Sequence, residues 1–375
     1  MSGPDSSALT TDPPGGTFYV RRSPNLWRKF PDTMSELLKK LAEHLRGVRN
    51  PDIHVVSGQN WTQEESRLAD AIPKAGRAKV VDPRGTMEGV SVGEECAGRL
   101  ACFMDGIERM HVPLYISMVP MAYGYVSAAI RARGQDKRMS SYRHKFEEAL
   151  YFPHRLIDPG LLSGAGIRLR DTETEGRPLE EHPMILREAA RMAISKQRGR
   201  IEAELVREWL AGFDGADQWL VVDGSLGGTL GGDYEKYRNP NIIGLVKSHQ
   251  TQYFQLDEQR GILGLRPGER SGIFQPLGRE DRAPVYSWYL RMRPNAGQDI
   301  YFGLIRVEAP AEDRTLDMAD EISRWILAER APLSLPDSRW DKMIYPIRDC
   351  ELFLRSLAPN RTVLEASLSG INGRE

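Results

Sequence analysis

Residues 218–226 read QWLVVDGSL: four apolar side chains, Trp219 to Val222, run straight into Asp223 and stop at Gly224. A short unbroken apolar run closed by Asp-Gly is the pattern of a buried strand that ends in a turn. The same pattern stands earlier, where GRLACFMD (98–105) runs into Asp105 and Gly106. Between the two, residues 113–131 are rich in β-branched and aromatic side chains and predict a further strand or hairpin, while 180–213 carries apolar residues at helical spacing. Beyond Asp223, strands are expected at 241–247, 285–292 and 300–307, and helices at 313–331 and 347–358. Strands interleaved with long helices imply an α/β fold, a mixed sheet flanked by helices, and no internal repeat is visible.

The N-terminal quarter reads differently. Residues 1–16 are polar and rich in Gly and Pro, the composition of a disordered tail. Residues 33–48 have the spacing of an amphipathic helix, and 17–95 as a whole reads as a helical extension to a main domain at 96–370. A chain of 375 residues with 40% hydrophobic and 27% charged side chains can bury one large core, as ordinary soluble proteins do. No run approaches the roughly eighteen apolar residues that a membrane helix needs, and no secretory leader is visible. Three cysteines make neither a disulfide framework nor a metal cluster, so a cytoplasmic protein without membrane contact is expected. Charge is balanced, 51 Lys+Arg against 52 Asp+Glu, which excludes binding to nucleic acid by bulk electrostatics. Local patches at 131–145 and 187–207 remain as candidates, though a solvated helix face or loop is the favoured reading of each.

The chemistry is in the carboxylates. An ionised carboxylate at the end of a buried strand is costly unless it is paired, hydrogen-bonded or metal-bound, and here that happens at Asp105 and at Asp223. Each Asp-Gly can also simply begin a turn. In the helix before Asp223, about 100° per residue sets Ile194, Ile201, Leu205, Val206, Trp209 and Leu210 on one face. Glu202 projects from the middle of that face, whereas Glu204 and Glu208 fall at its polar margin. A core-facing glutamate needs a partner, either a cation shared with Asp105 and Asp223 or an arginine. Three converging carboxylates suit Mg²⁺ or Mn²⁺, and two such ions about 3.5–4 Å apart can activate water and steady the leaving oxygen of a phosphodiester. Lys247, at the end of NIIGLVK, is placed to neutralise a phosphate or simply to be exposed. The glycine-rich GSLGGTLGG (224–232) has no Gly-Lys-Ser/Thr and is not a P-loop, though its N–H groups are potential phosphate donors. Ser225 has no nucleophile-elbow context, and Glu308 is a candidate partner for Arg306.

The order of these pieces resembles the NurA nuclease family: a strand reaching Asp-Gly, a helix with a glutamate, VVDGSL, IIGLVKS, SWYLRM, LIRVEAP, and a late Tyr345-Pro346 in MIYPIRDCELFLRSL. It covers about residues 96–365. The resemblance implies an RNase H-like fold and a DNA nuclease using Mn²⁺ or Mg²⁺. It also implies a homodimer working with the hexameric ATPase HerA in DNA end processing. It puts the metal acids on Asp105, Glu202 and Asp223, and a C-terminal aromatic on Tyr345. One departure stands out: the histidine expected after Tyr-Pro is absent, since none follows His249, and Arg348 and Glu351 lie there instead. Glu351 is then a further metal or water contact and Arg348 a phosphate contact, or the chain is an inactive adaptor that binds or regulates a partner ATPase. An ATP-binding protein using the glycine-rich stretch is a third expectation.

Overall fold

The structure is a computed structural model. It describes residues 36–48, 53–55, 74–96, 98–173, 181–212, 218–231, 240–277, 282–295, 299–330 and 340–360, with 362, 364 and 366. The expected tail at 1–16 and much of the extension at 17–95 lie outside these residues.

Helix α1 (Glu36–Leu45) and the short strands β1 (Ile53–Val55), β2 (Lys74–Ala75), β3 (Arg77–Val80) and β4 (Val90–Ser91) come first. Three long strands follow, β5 (Leu100–Ile116), β6 (Val119–Arg133) and β7 (Met139–Phe152), then β8 (Leu169–Asp171) and α2 (Pro183–Ala211). Next are β9 (Trp219–Asp223), the short α3 (Leu226–Leu230), β10 (Ile242–Val246), β11 (Thr251–Gln252), α4 (Leu256–Leu263) and β12 (Glu269–Arg270). The described part closes with β13 (Phe274–Leu277), β14 (Val285–Arg291), β15 (Leu304–Pro310), α5 (Asp313–Ala328) and α6 (Tyr345–Leu357).

One large mixed sheet runs β3-β13-β14-β15-β10-β9-β5-β6-β7-β8. At its centre β5, β6 and β7 form an antiparallel meander, β9 lies parallel to β5, and β10 lies parallel to β9. From β10 the sheet continues through antiparallel β15 and β14. Alternation along β5 and β9 sorts the core: Cys102, Met104, Leu220 and Val222 pack under α2, whereas Phe103 and Val221 pack with α5 and α6. Helix α1 packs in a third cluster beside the β5–β6 turn. Three of the described strands of the N-terminal quarter join this same sheet, β1 on β5, β3 on β13 and β4 on β12, while β2 pairs with β11 in a separate two-stranded sheet. Among the described residues no helix is long and apolar enough to cross a membrane.

Several expectations need correcting. The apolar run at 98–105 does not stop at Asp105, because β5 continues eleven residues further to Ile116. Asp105-Gly106 is mid-strand, and Gly106 is not among the glycines with positive φ. The real turn is Ser117-Met118, whose φ values of 47° and 65° give the doubly positive geometry that suits a two-residue hairpin. Neither residue is Gly or Asn, so no turn signal marks it. Within the hairpin the register slips between His111 and Leu114, where Pro113 has no N–H to give the ladder. The cation-rich 131–145 stretch is neither a helix face nor a loop alone: it is the end of β6, a tight turn, and the start of β7. The strand expected from residue 300 begins at Leu304, after a turn in which Leu304 N–H bonds Tyr301 C=O and Gly303 takes φ 65°.

Candidate functional site

The site forms where β9 stops and its parallel neighbour β5 runs on alone. The last ladder positions pair Met104 with Val222, so Asp105 and Asp223 are the next residues on adjacent strands. By alternation both continue the face of Phe103 and Val221. Asp223 is also in register with Leu245 of β10, and Lys247, two residues on, sets Nζ 2.8 Å from Asp223 Oδ1. Strand ends of this kind, at the carboxyl edge of parallel strands, are where α/β sheets gather reactive groups.

Glu202 arrives from the opposite face, on α2. Its carboxylate lies over Gly106: a methyl group there would stand 2.1 Å from Glu202 Oε1. The glycine of this Asp-Gly pair makes no turn; it opens the sheet for a carboxylate. Arg198, one helical turn before Glu202, bonds its Oε1 at 3.2 Å and Glu108 Oε2 at 2.9 Å, and also reaches the Gly106 carbonyl. Of the two partners expected for Glu202, the arginine is thus present.

Burial and crowding set the electrostatics. Asp105 is buried and accepts a hydrogen bond from Gly106 N–H. Burial first, then the negative charges of Asp223, Glu202 and Glu351, hold its carboxyl well above the ordinary aspartate range, against the pull of Lys247. Glu202 is raised by burial and by Asp223, against Arg198. Glu351 belongs to this field from α6, but Arg348 (3.0 Å) and Arg355 (2.7 Å) bracket it. Arg348 therefore spends its guanidinium on a neighbouring carboxylate. Tyr345 begins α6, six residues and about 9 Å of helix axis before Glu351. Its ring is exposed, and among the described residues no bond links it to the carboxylates.

Oxygen donors from carboxylates suit a hard divalent cation, and an acid whose carboxyl is pushed up by burial and by like charges is the group such an ion would relieve. As the side chains stand, Asp223 is taken by Lys247 and Glu202 by Arg198. Among the described residues no three His, Cys, Asp or Glu side chains are grouped to hold an ion. The donor chemistry fits Mg²⁺ or Mn²⁺, and an ion would have to compete with these two internal cations.

The loop after Asp223 is locked from below. Glu308, buried on β15, accepts bonds from Leu226 N–H (2.7 Å), Gly227 N–H (3.3 Å) and the Ser225 hydroxyl (3.0 Å), and pairs with Arg306 at 2.5 Å. Two of the N–H groups that the ATP-binding expectation would use for phosphate, those of Leu226 and Gly227, are thus already satisfied by an acid. The expected Glu308–Arg306 pair is present. A cleft between α2 and this loop is lined by Lys196, Arg198 and Glu202 on one wall and Asp223, Ser225 and Thr229 on the other.

No protein-family model matches this chain, and no curated protein does. The NurA resemblance therefore rests on motifs and their order. Sequence reasoning missed Arg198, Gly106 and the clamping role of Glu308. The spacing of Arg198 and Glu202, four apart on one helix, was a usable signal for the first. The other two depend on strand pairing and left no local trace.

Proposed function

We propose that the chain is a metal-dependent DNA nuclease that hydrolyses phosphodiesters, its carboxylates Asp105, Asp223 and Glu202 holding Mn²⁺ or Mg²⁺. The observation that carries this reading is the adjacency of Asp105 and Asp223 at the end of β9, with Glu202 of α2 near enough to act on the Asp105 carboxyl and Gly106 left bare beneath it. The strand order β7-β6-β5-β9-β10, antiparallel then parallel, favours an RNase H-like core. When bound, the metal would supply an activated water and charge neutralisation at the scissile phosphate. The chain's own residues orient that chemistry: Arg198 fixes Glu202, Lys247 holds Asp223, and Glu308 fixes the wall beside it. The family resemblance adds a homodimer and a HerA-type ring ATPase as partner, in end processing or defence against phage DNA.

The test is Mn²⁺- or Mg²⁺-dependent loss of labelled DNA that disappears in Asp105→Ala and in Asp223→Ala. Equal digestion by both variants and the parent would sink the metal-site reading. A second reading, the inactive adaptor, is favoured by the pairing of Asp223 with Lys247 and Glu202 with Arg198, which makes the acids structural. It expects stable capture of a HerA-type ring with no cleavage in any divalent metal.

A further inference from the structure

Helix α2 carries a glycine at its midpoint, Gly199, in a 29-residue helix where glycine is the least favourable residue apart from proline. Many other glycines have visible reasons, although Gly261 in the short α4 is also open, with only the Met87 carbonyl at 3.9 Å from an added methyl group. Gly106 and Gly244 lie under Glu202 and against the Gly224 carbonyl, and Gly224, Gly231 and Gly268 take positive φ. Gly199 has neither reason: a methyl group there meets nothing within 4 Å. It faces the cleft beside Glu202 and Asp223, with Lys196 and Arg200 on either side, both exposed. Across the cleft stands a second exposed glycine, Gly228, for which the nearest atom to an added methyl group is Arg282 Cζ at 4.0 Å.

A bare helix backbone is what close approach of a bulky ligand needs. We infer that Gly199 and Gly228 form the floor and facing wall of a track for a phosphodiester strand, which Lys196 and Arg200 hold by its phosphates as it passes the carboxylates. This inference rests on the nuclease reading and names the path of its substrate. Arg200 contributes although its Nη1 also bonds Gln197 at 3.4 Å, since that bond uses one of the five N–H donors of a guanidinium. Contacts of this type are read without regard to base sequence.

The experiment is fluorescence anisotropy with a labelled single-stranded oligonucleotide and the same sequence as duplex, using full-length chain carrying Asp223→Asn to stop turnover. Gly199→Ala removes the helix penalty, so its thermal midpoint should rise while affinity for the tracked strand falls; Gly199→Leu should weaken binding about tenfold or more. A glycine kept for folding would give the reverse, a lower midpoint with affinity intact. Lys196→Ala combined with Arg200→Ala should lower the slope of log affinity against log salt by about 2. The arm that loses affinity, single strand or duplex, identifies the occupant. If the parent binds DNA and all these variants bind equally well, the track is wrong while the nuclease reading stands. If the Asp223→Asn parent binds neither form and the chain with Asp223 intact cleaves neither, both fall.

Discussion

Replacing Gly106 by alanine separates the two meanings of an Asp-Gly pair. Were this glycine serving a turn, alanine would cost what the positive φ costs; it has no positive φ. The added methyl would stand 2.1 Å from Glu202 Oε1 and 3.0 Å from its Cδ. The carboxylate must therefore retreat by about 1.3 Å to reach ordinary van der Waals contact, stretching its 3.2 Å bond to Arg198. Overpacking of this size costs about 1–3 kcal/mol. With Glu202→Ala already in place the three atoms nearest the methyl are gone, and Gly106→Ala should then stabilise by about 0.4–1 kcal/mol through the unfolded chain. The sign thus reverses between backgrounds, and the coupling in the double-mutant cycle should be about 1.4–4 kcal/mol, the sum of the cost in one background and the gain in the other. Urea unfolding followed by the fluorescence of the seven tryptophans measures all four corners. Effects that add to within about 0.5 kcal/mol would refute the claim that Glu202 occupies the space over Gly106.

Three further outcomes follow from the same geometry. Because the folded pKa of Asp105 is raised, the native state binds more protons than the unfolded chain above about pH 4, so stability falls as pH rises through that window. Asp105→Asn should flatten this fall and be more stable than the parent at neutral pH; an unchanged urea-midpoint profile would show the carboxyl is not buried among acids. Glu308→Ala leaves Arg306 buried and three donors of the 225–227 loop without their acceptor, and should cost about 3–5 kcal/mol. A loss under about 1 kcal/mol in chemical denaturation would mean the loop is not clamped. Lys247→Met breaks a half-shielded pair with Asp223 and should cost about 1–3 kcal/mol while enlarging the thermal shift produced by Mn²⁺. A smaller Mn²⁺ shift than the parent's would show that Lys247 does not compete for that carboxylate.

Much of the scaffold was legible because its signals are local. WLVV and IIGLV are continuous apolar runs, and parallel strands buried on both faces read that way. Helix α2 was visible because Ile194, Ile201, Leu205, Val206, Trp209 and Leu210 recur at helical spacing, and all six are buried. Glu202 followed from the same repeat, as an acid in a stripe that has no business being acidic. What stayed hidden depends on partners distant in sequence. The run of β5 past Asp105 is set by its hairpin with β6 through a turn that lacks Gly or Asn, and Gly106 acquires its meaning from a side chain almost a hundred residues away. The cations at 131–145 looked like a surface patch because their acids are remote. Arg133 pairs with Glu329, Arg131 with Asp349, and Lys145 with Glu204 and Glu208.

That last point bears on the site itself. A sequence lists carboxylates without their counter-ions, so three acids brought together read as a metal centre by default. In the fold each acid but Asp105 has a resident cation: Lys247 on Asp223, Arg198 on Glu202, and Arg348 with Arg355 on Glu351. The nuclease and adaptor readings then differ in one free-energy comparison, whether a divalent ion binds Asp105, Asp223 and Glu202 more strongly than Lys247 and Arg198 do. Asp105 tips that comparison, because it is buried among like charges and gains most from a cation. Metal binding should therefore release a proton at any pH where Asp105 still holds one, and calorimetry of Mn²⁺ binding across a pH series in buffers of different ionisation enthalpy would detect it. Binding with no proton release would mean the ion engages exposed acids elsewhere, and the carboxylates at the end of β9 would then be held by their internal cations alone.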